Sequence, residues 1–166
     1  QAYRTSMFNT IFITAVGTVF NMIITATLAY PLSRKTLKLW AFLNFAVVFT
    51  MFFSGGMIPT YLIIRNLGII DTYWAYLLPG LISPFYCILL RNFFSSIPKE
   101  LEESAIIDGA GQVRVLFQII IPLSAAAIAT IGLFYAVGHW NVFMLAIMYI
   151  SKRSLWTLQM FLREIV

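Results

Sequence analysis

Four long stretches without a charged residue constrain this chain more than any other feature. A helix needs about 20 apolar residues to cross the hydrocarbon core of a membrane. Inside lipid the backbone must satisfy its own hydrogen bonds, so such stretches are expected to be helical. The four uncharged stretches are residues 5–33, 39–64, 72–90 and 115–151, and the last of them contains His139. Each is long enough to form a transmembrane helix.

The composition favours a membrane protein over a soluble one. The chain is 61% hydrophobic and only 10% charged, with a mean hydropathy of +0.89. Soluble domains carry about 25% charged residues. Buried helices of a soluble protein would leave too little polar surface to face water. We therefore expect an all-α fold, a polytopic bundle of transmembrane helices in a lipid bilayer, with residues 1–166 forming a single domain.

The approximate bounds of the four crossings follow from the uncharged stretches. Pro31 is expected to open a short loop after the first crossing, while Gly55 and Gly56 are expected to bend the far end of the second. Prolines inside the third are tolerated where neighbouring groups bond the freed carbonyls. The predicted crossings are residues 8–30, 39–64, 73–90 and a segment from about 119 into the sequence GHWN at 138–141.

The positive charges predict which side of the membrane each loop occupies. Because successive crossings alternate in direction, loops 31–38 and 91–118 lie on the same side. These two loops carry six basic residues, whereas the connection 65–71 carries only Arg65. Lysine and arginine concentrate in cytoplasmic loops, so both loops are predicted to be cytoplasmic. Basic residues at the ends of hydrophobic segments are typical of membrane anchoring and give no reason to expect nucleic acid.

The polar segment 91–118 contains the predicted surface helix, at about residues 98–109. Ser96 can cap its N-terminus, Pro98 suits its first turn, and Gly109 can end it in a left-handed conformation. Gly111 allows a further bend, and a second helix is expected to start near Gln112 and enter lipid at Pro122. Lipid-binding helices carry lysine and arginine, whereas this one is acidic, so a protein partner is favoured over lipid headgroups.

The same segment resembles a known family. Permease subunits of binding-protein-dependent ABC importers carry a cytoplasmic loop signature, E-A-A, then three residues, G, nine residues, I, one residue, an apolar residue and P. The spacing matches throughout, with serine in place of the first alanine. The matching residues are Glu103, Ser104, Ala105, Asp108, Gly109, Ala110, Ile119, Ile121 and Pro122. The stretches LGIIDTYWAYLLP at 67–79 and HWNVFMLAI at 139–147 resemble the carbohydrate-uptake class, and the N-terminal stretch resembles its oligosaccharide subgroup.

The resemblance implies a division of labour. The chain would be a bacterial plasma-membrane permease that forms half of a carbohydrate pathway with a second permease subunit. A separate ABC ATPase dimer would bind ATP and Mg and receive the loop helix, and an extracytoplasmic solute-binding protein would deliver the sugar. The chain itself would hold no cofactor. The family has six crossings, so this chain resembles a fragment that lacks the first and last helices.

Other classes of function remain as alternatives. A secondary transporter would place ionisable residues inside the membrane, and the four stretches contain only His139. A structural membrane subunit would not need the precise loop spacing. The sequence contains no P-loop and no nucleophile elbow, so no catalytic residue and no metal site is predicted.

Four residues are candidates for a sugar path because polar and aromatic groups at membrane depth often face a cavity. They are Asn44, Tyr135, Trp140 and Asn141. For Asn44 an interhelical hydrogen bond is an equally good interpretation. Trp140 and Asn141 are interpreted first as a structural turn and second as part of the path.

Overall fold

A computed structural model describes residues 2–35, 38–53 and 55–165. The described residues are helical and contain no β-strand, as the all-α prediction requires. The α-helices are α1 Ala2–Arg34, α2 Trp40–Phe52, α3 Met57–Asn66, α4 Trp74–Leu77, α5 Pro84–Ser96, α6 Lys99–Ile107, α7 Gln112–Val115, α8 Ile121–Leu123, α9 Ala125–Trp140, α10 Met144–Tyr149 and α11 Leu158–Ile165. A π-helical segment, Leu116–Ile120, joins α7 to α8, and Arg153–Leu155 forms a 3-10 turn.

The chain divides into two compact units. Unit 1 comprises residues 1–21, 54–81 and 132–166, and unit 2 comprises residues 22–53 and 82–131. Among the described residues, α1 is the helix long and apolar enough to span a membrane by itself. Up to two more spans are counted if α2 with α3, and 112–123 with α9, are each taken as one broken span.

The third predicted crossing is wrong as a continuous helix. Only α4 and the first part of α5 are helical within it, and residues 78–83 between them are not. Pro79 and Pro84 explain the break, because proline lacks a backbone donor and disfavours helical geometry in the residue before it. Ser83 instead takes an extended conformation and caps α5, its hydroxyl accepting a hydrogen bond from the Tyr86 N–H at 3.5 Å.

Pro31 does not open a loop, contrary to the prediction, since α1 continues through it to Arg34. Proline at this position removes only the backbone hydrogen bond to the Thr27 carbonyl, four residues earlier. In the last turns of α1 the Trp40 indole N–H donates to the Leu32 carbonyl at 2.7 Å, and the Ser33 hydroxyl donates to the Tyr30 carbonyl at 2.6 Å. The helix ends where Lys35 adopts a left-handed conformation with φ 53°.

Unit 1 is organised around buried polar contacts as well as an apolar core. The core includes Ile13, Tyr76 and Ala146. The Asn9 amide donates to the Ser154 carbonyl at 2.8 Å and the Trp156 carbonyl at 3.1 Å, and its oxygen accepts a 2.8 Å bond from the Tyr73 hydroxyl. These bonds attach the first part of α1 to the segment between α10 and α11.

A second polar contact in unit 1 joins the loop after α3 to the segment after α10. The Asp71 carboxylate accepts hydrogen bonds from the backbone N–H groups of Lys152 at 3.0 Å and Ser151 at 2.6 Å. These two bonds favour the ionised form and hold the pKa of the carboxyl below its ordinary value. Asp71 itself has φ 60°, a conformation that aspartate tolerates better than most residues.

Candidate functional site

The predicted surface helix is present as α6, but it begins differently from the prediction. Ser96 is the last residue of α5, and its hydroxyl donates to the Phe93 carbonyl at 2.7 Å, so it does not cap α6. Pro98 occupies the N-cap position with ψ 133°. Pro98 separates α5 from α6. It has no backbone N–H, so it cannot donate the hydrogen bond that would continue α5, and it leaves no unpaired donor at the start of α6.

The C-terminus of α6 confirms the predicted role of Gly109. Its φ is 84°, its N–H donates to the Ile106 carbonyl at 3.0 Å, and the Ala110 N–H donates to the Ala105 carbonyl at 2.9 Å. This pair of bonds is a Schellman motif, which favours glycine at the left-handed position. A β-carbon on Gly109 would meet nothing within 4 Å, so the requirement comes from backbone conformation rather than from space.

The backbone at position 111 does not require glycine, contrary to the prediction that Gly111 allows a sharp bend. Its φ of −74° and ψ of 161° are extended backbone that any residue adopts. The second helix starts at Gln112, as predicted. The elbow between α6 and α7 therefore depends on one glycine rather than two.

The helix that follows the elbow is distorted around Pro122. The π-helical segment Leu116–Ile120 lies just before this proline, and the helical axis then bends by 86° between residues 112–123 and α9. A proline ring clashes with the carbonyl four residues earlier, and widening the preceding turn relieves that clash. Pro122 thus shapes the segment that joins the elbow to α9.

The signature residues converge on one groove, although they lie up to 18 positions apart in sequence. The groove has a volume of about 480 Å³. Its lining residues are Leu101, Ser104, Ala105, Asp108, Gln118, Ile119, Pro122 and Leu123. Glu103 lies instead at a cavity of about 240 Å³, together with Arg34, Lys99, Glu102, Ile106 and Gln112. Five of the predicted coupling residues therefore share one surface, and Glu103 faces another.

In α6, Glu100 and Glu103 are exposed as on an ordinary surface helix, but Glu102 and three apolar residues depart from that pattern. Leu101 and Ile106 are exposed, and Ile107 is 85% exposed, whereas the carboxylate residue Glu102 is only 7% exposed. A surface helix normally buries its apolar side and solvates its charges. The exposed apolar side of α6 is thus available to another surface, and its inner side is fixed by a polar contact.

Glu102 is held by two side chains at the end of α1. Its carboxylate accepts a hydrogen bond from the Tyr30 hydroxyl and lies 2.5 Å from Arg34 Nε in an ion pair. Tyr30 Oη also lies 2.9 Å from Gln112 Oε1. The Arg34 guanidinium is stacked near the Tyr30 ring, with 5.9 Å from its central carbon to the ring centre. The sequence predicted no contact among Tyr30, Arg34, Glu102 and Gln112.

The sugar-path candidates fall in both units. In unit 2 the Asn44 oxygen accepts a hydrogen bond from Arg91, which is the interhelical bond considered for it. In unit 1 Tyr135 is buried, the Trp140 carbonyl accepts a bond from Gln159, and the Asn141 amide donates to Val137 O at 2.9 Å. Trp140 and Asn141 thus form the turn that ends α9. A role for these four residues in a sugar path stays a prediction.

His139 lies deep in unit 1 against α1. It is only 7% exposed, and its Nε2 has no hydrogen-bond partner among the described residues. A β-carbon added to Gly17 would lie 2.6 Å from that nitrogen. The glycine therefore provides the space that the imidazole occupies.

Comparison with known proteins identifies the family. Residues 3–163 match the family described as "Binding-protein-dependent transport system inner membrane component". The chain belongs to this family. The match extends over the helices of both units, so family membership does not depend on the loop signature alone.

The relatives of this family member include a permease that is named for polysaccharide transport. The chain is 50% identical over 161 residues to the polygalacturonan/rhamnogalacturonan transport system permease protein YtcP of Bacillus subtilis, covering 97% of this chain and 56% of the relative. It is 51% identical over 160 residues to protein LplC of the same organism, covering 96% and 54%. The chain thus spans about half the length of the curated relatives it matches.

A solved structure has the same fold. The crystal structure of a bacterial ABC transporter involved in the import of the acidic polysaccharide alginate contains a chain that is 36% identical, with a TM-score of 0.96. The match covers 99% of this chain and 59% of that one. The helical architecture described above is therefore that of an ABC importer permease.

Proposed function

We propose that this chain belongs to the membrane-spanning subunit of an ATP-driven importer of carbohydrate and that it couples to a separate ATPase through α6. A second permease subunit completes the pathway, and a solute-binding protein delivers the sugar outside the cell. ATP and Mg bind to the ATPase dimer. In this arrangement the subunit lies in the bacterial inner membrane with α6 in the cytoplasm.

The observation that carries this proposal is the groove formed by α6 and residues 118–123. Exposed apolar side chains on α6, with the small residues Ser104, which is exposed, and Ala105, which is half-buried, permit close approach of a second protein surface. The left-handed Gly109 then directs the chain from α6 into α7. A force applied to α6 therefore acts directly on the segment that leads into α9.

The charges of unit 1 support an acidic oligosaccharide as the solute. Unit 1 contains five basic residues, Arg4, Arg65, Lys152, Arg153 and Arg163, and two acidic ones, Asp71 and Glu164. Glu164 is already paired with Arg153, and Asp71 is bonded to backbone N–H groups. An excess of one charge sign raises the local concentration of ligands of the opposite sign. Two of the matched proteins also carry the names of acidic polysaccharides.

Photocrosslinking tests the coupling proposal. Ser104→Cys, labelled with a benzophenone maleimide in the full-length subunit, is expected to crosslink to the ATPase after illumination. Cys87, the one cysteine among residues 1–166, is buried and will not compete for the label, and any cysteine elsewhere in the full-length subunit is replaced by serine. Asn66→Cys is the matched control, because Asn66 is exposed and lies in the connection predicted to be extracytoplasmic.

The two positions give opposite expectations for the ATPase. Crosslinking from position 104 and none from position 66 supports the proposal. An ATPase crosslink from position 66 alone, or no ATPase crosslink from position 104 in a transporter that is active before illumination, contradicts it.

A further inference from the structure

We propose that Glu102 and Arg34 form a positioning joint that fixes α6 to the C-terminal end of α1, so that movement of α6 is passed to α1 as well as to α7. This inference rests on the proposed function, since it assigns a mechanical role to residues beside the coupling surface. Neither residue belongs to the loop signature.

The burial pattern of α6 shows that one of its side chains, that of Glu102, is packed against the rest of unit 2. Glu102 is the buried residue of this helix, and the neighbouring signature residues Glu103 and Ser104 are exposed. A charge is rarely buried unless it is paired. The side chains of Arg34 and Glu102 are 7% and 9% exposed, so water screens their attraction poorly.

The partners of Glu102 come from α1. Tyr30 and Arg34 are four residues apart on that helix, so they lie on one face and reach the same carboxylate. The Tyr30 hydroxyl has one proton, so it donates to only one of its two neighbours, Glu102 and Gln112. Glu102 of α6 and Gln112 of α7 thus meet at the hydroxyl of Tyr30, which belongs to α1.

The joint adds a third attachment to the two that the chain already supplies. Pro98 connects α6 to α5 and Gly109 connects it to α7, and a helix held only at its two ends can still roll about its own axis. Glu102 lies seven residues before Gly109, about 10 Å along the helix at 1.5 Å per residue. A contact at that distance prevents α6 from rolling, so a force on its exposed surface moves α1 and α7 together.

The chemistry of the pair gives the joint its specificity. Arg34 offers a planar guanidinium of fixed shape, and lysine would offer only a point charge. Arg34 Nε, the atom that approaches the Glu102 carboxylate, and Arg34 Nη2 both lack a hydrogen bond of good geometry among the described residues, so the contact with Glu102 is an ion pair. Loss of either member leaves a buried charge without its partner, whereas an exchange of the two charges keeps the pair.

The test is the amount of solute imported per ATP hydrolysed by the complete transporter in proteoliposomes. The transporter contains the full-length subunit with its partner permease, ATPase and solute-binding protein. Glu102→Gln and Arg34→Gln are each expected to retain bound ATPase while the import per ATP falls by about fivefold or more. The charge exchange, Glu102→Arg with Arg34→Glu, is expected to recover part of that loss. Glu100→Gln, at an exposed acid on the same helix, is the matched control and is expected to change nothing.

Two milder variants keep the test decisive if a subunit that carries Glu102→Gln or Arg34→Gln fails to fold. Arg34→Lys keeps the charge without the guanidinium shape, and Tyr30→Phe removes only the hydroxyl. Both are expected to lower the import per ATP, by less than Arg34→Gln does. An unchanged ratio in all the folded variants overturns the joint and leaves the proposed function intact. Failure of the wild-type subunit to bind any ATPase overturns the proposed function itself.

Discussion

At the scale of single residues, Gly109 has a requirement that can be tested without disturbing any contact. Gly109→Ala is expected to destabilise the elbow by about 1 kcal/mol, because a β-carbon disfavours the left-handed conformation that the φ of 84° demands. The change introduces no clash, since nothing lies within 4 Å. The measurement is ATPase retention during purification together with amide hydrogen exchange at Ala110.

Gly111→Ala is the matched control for that substitution. Gly111 also has open space around it, but its backbone is extended with φ −74°. We expect this variant to be as stable as the wild type or slightly more so, because alanine lowers the conformational entropy of the unfolded chain. Equal losses of hydrogen-exchange protection in the two variants would show that the elbow does not depend on a left-handed residue.

Gly109 and Glu102 show which features of single residues could be predicted from the sequence and which could not. Gly109 could be predicted because a helix end and a glycine are adjacent in sequence. The burial of Glu102 could not, because its partners Tyr30 and Arg34 lie 72 and 68 positions away and nothing local specifies the register. The helix was interpreted only as acidic, and one of its three glutamates proved to be an ion-pair partner.

At the scale of helices, prolines account for most differences between expectation and structure. The uncharged stretches located the apolar segments, but stretch length does not show whether a helix continues through a proline. Pro31 is contained in α1, near the C-terminal end of that helix. Pro79 and Pro84 instead interrupt the helix between α4 and α5. The outcome depends on the surrounding tertiary structure, which the sequence does not reveal.

The contact between α1 and α9 in unit 1 yields a prediction at this scale. Gly17→Ala is expected to destabilise the protein by about 2 kcal/mol, because the new β-carbon would lie 2.6 Å from His139 Nε2 and overpack the site. Thermal unfolding of the full-length subunit in detergent measures the loss. Combining Gly17→Ala with His139→Ala is expected to cost less than the sum of the two changes, since the second removes the atoms that clash.

Gly138→Ala is the control for that helix contact. Gly138 is in α9 next to His139, and a β-carbon there would meet nothing within 4 Å. We expect a gain of about 1 kcal/mol, the usual difference between alanine and glycine inside a helix. A loss at Gly138 as large as that at Gly17 would rule out the imidazole as the cause.

For the whole molecule, the loop signature indicates the family, whereas the distribution of charge bears on the solute. The spacing of residues 103–122 was sufficient to predict the family, because the groove requires α6 and Pro122 at a set separation. The solute could not be predicted from that spacing, since under the proposed function the loop contacts the ATPase rather than the sugar. The charge excess of unit 1 is independent of the loop and bears on the solute directly.

That excess predicts a preference for anionic sugars in the complete transporter. Oligogalacturonides are expected to stimulate ATP hydrolysis and to be imported, whereas their fully methyl-esterified forms should be imported at least about tenfold less well. Esterification removes the charges and keeps the sugar rings, so the comparison isolates the electrostatic attraction between the sugar and unit 1. Added salt is also expected to weaken this attraction. Equal import of the charged and esterified forms, at low and high salt, would refute the acidic-sugar proposal and would leave the coupling of α6 to the ATPase unaffected.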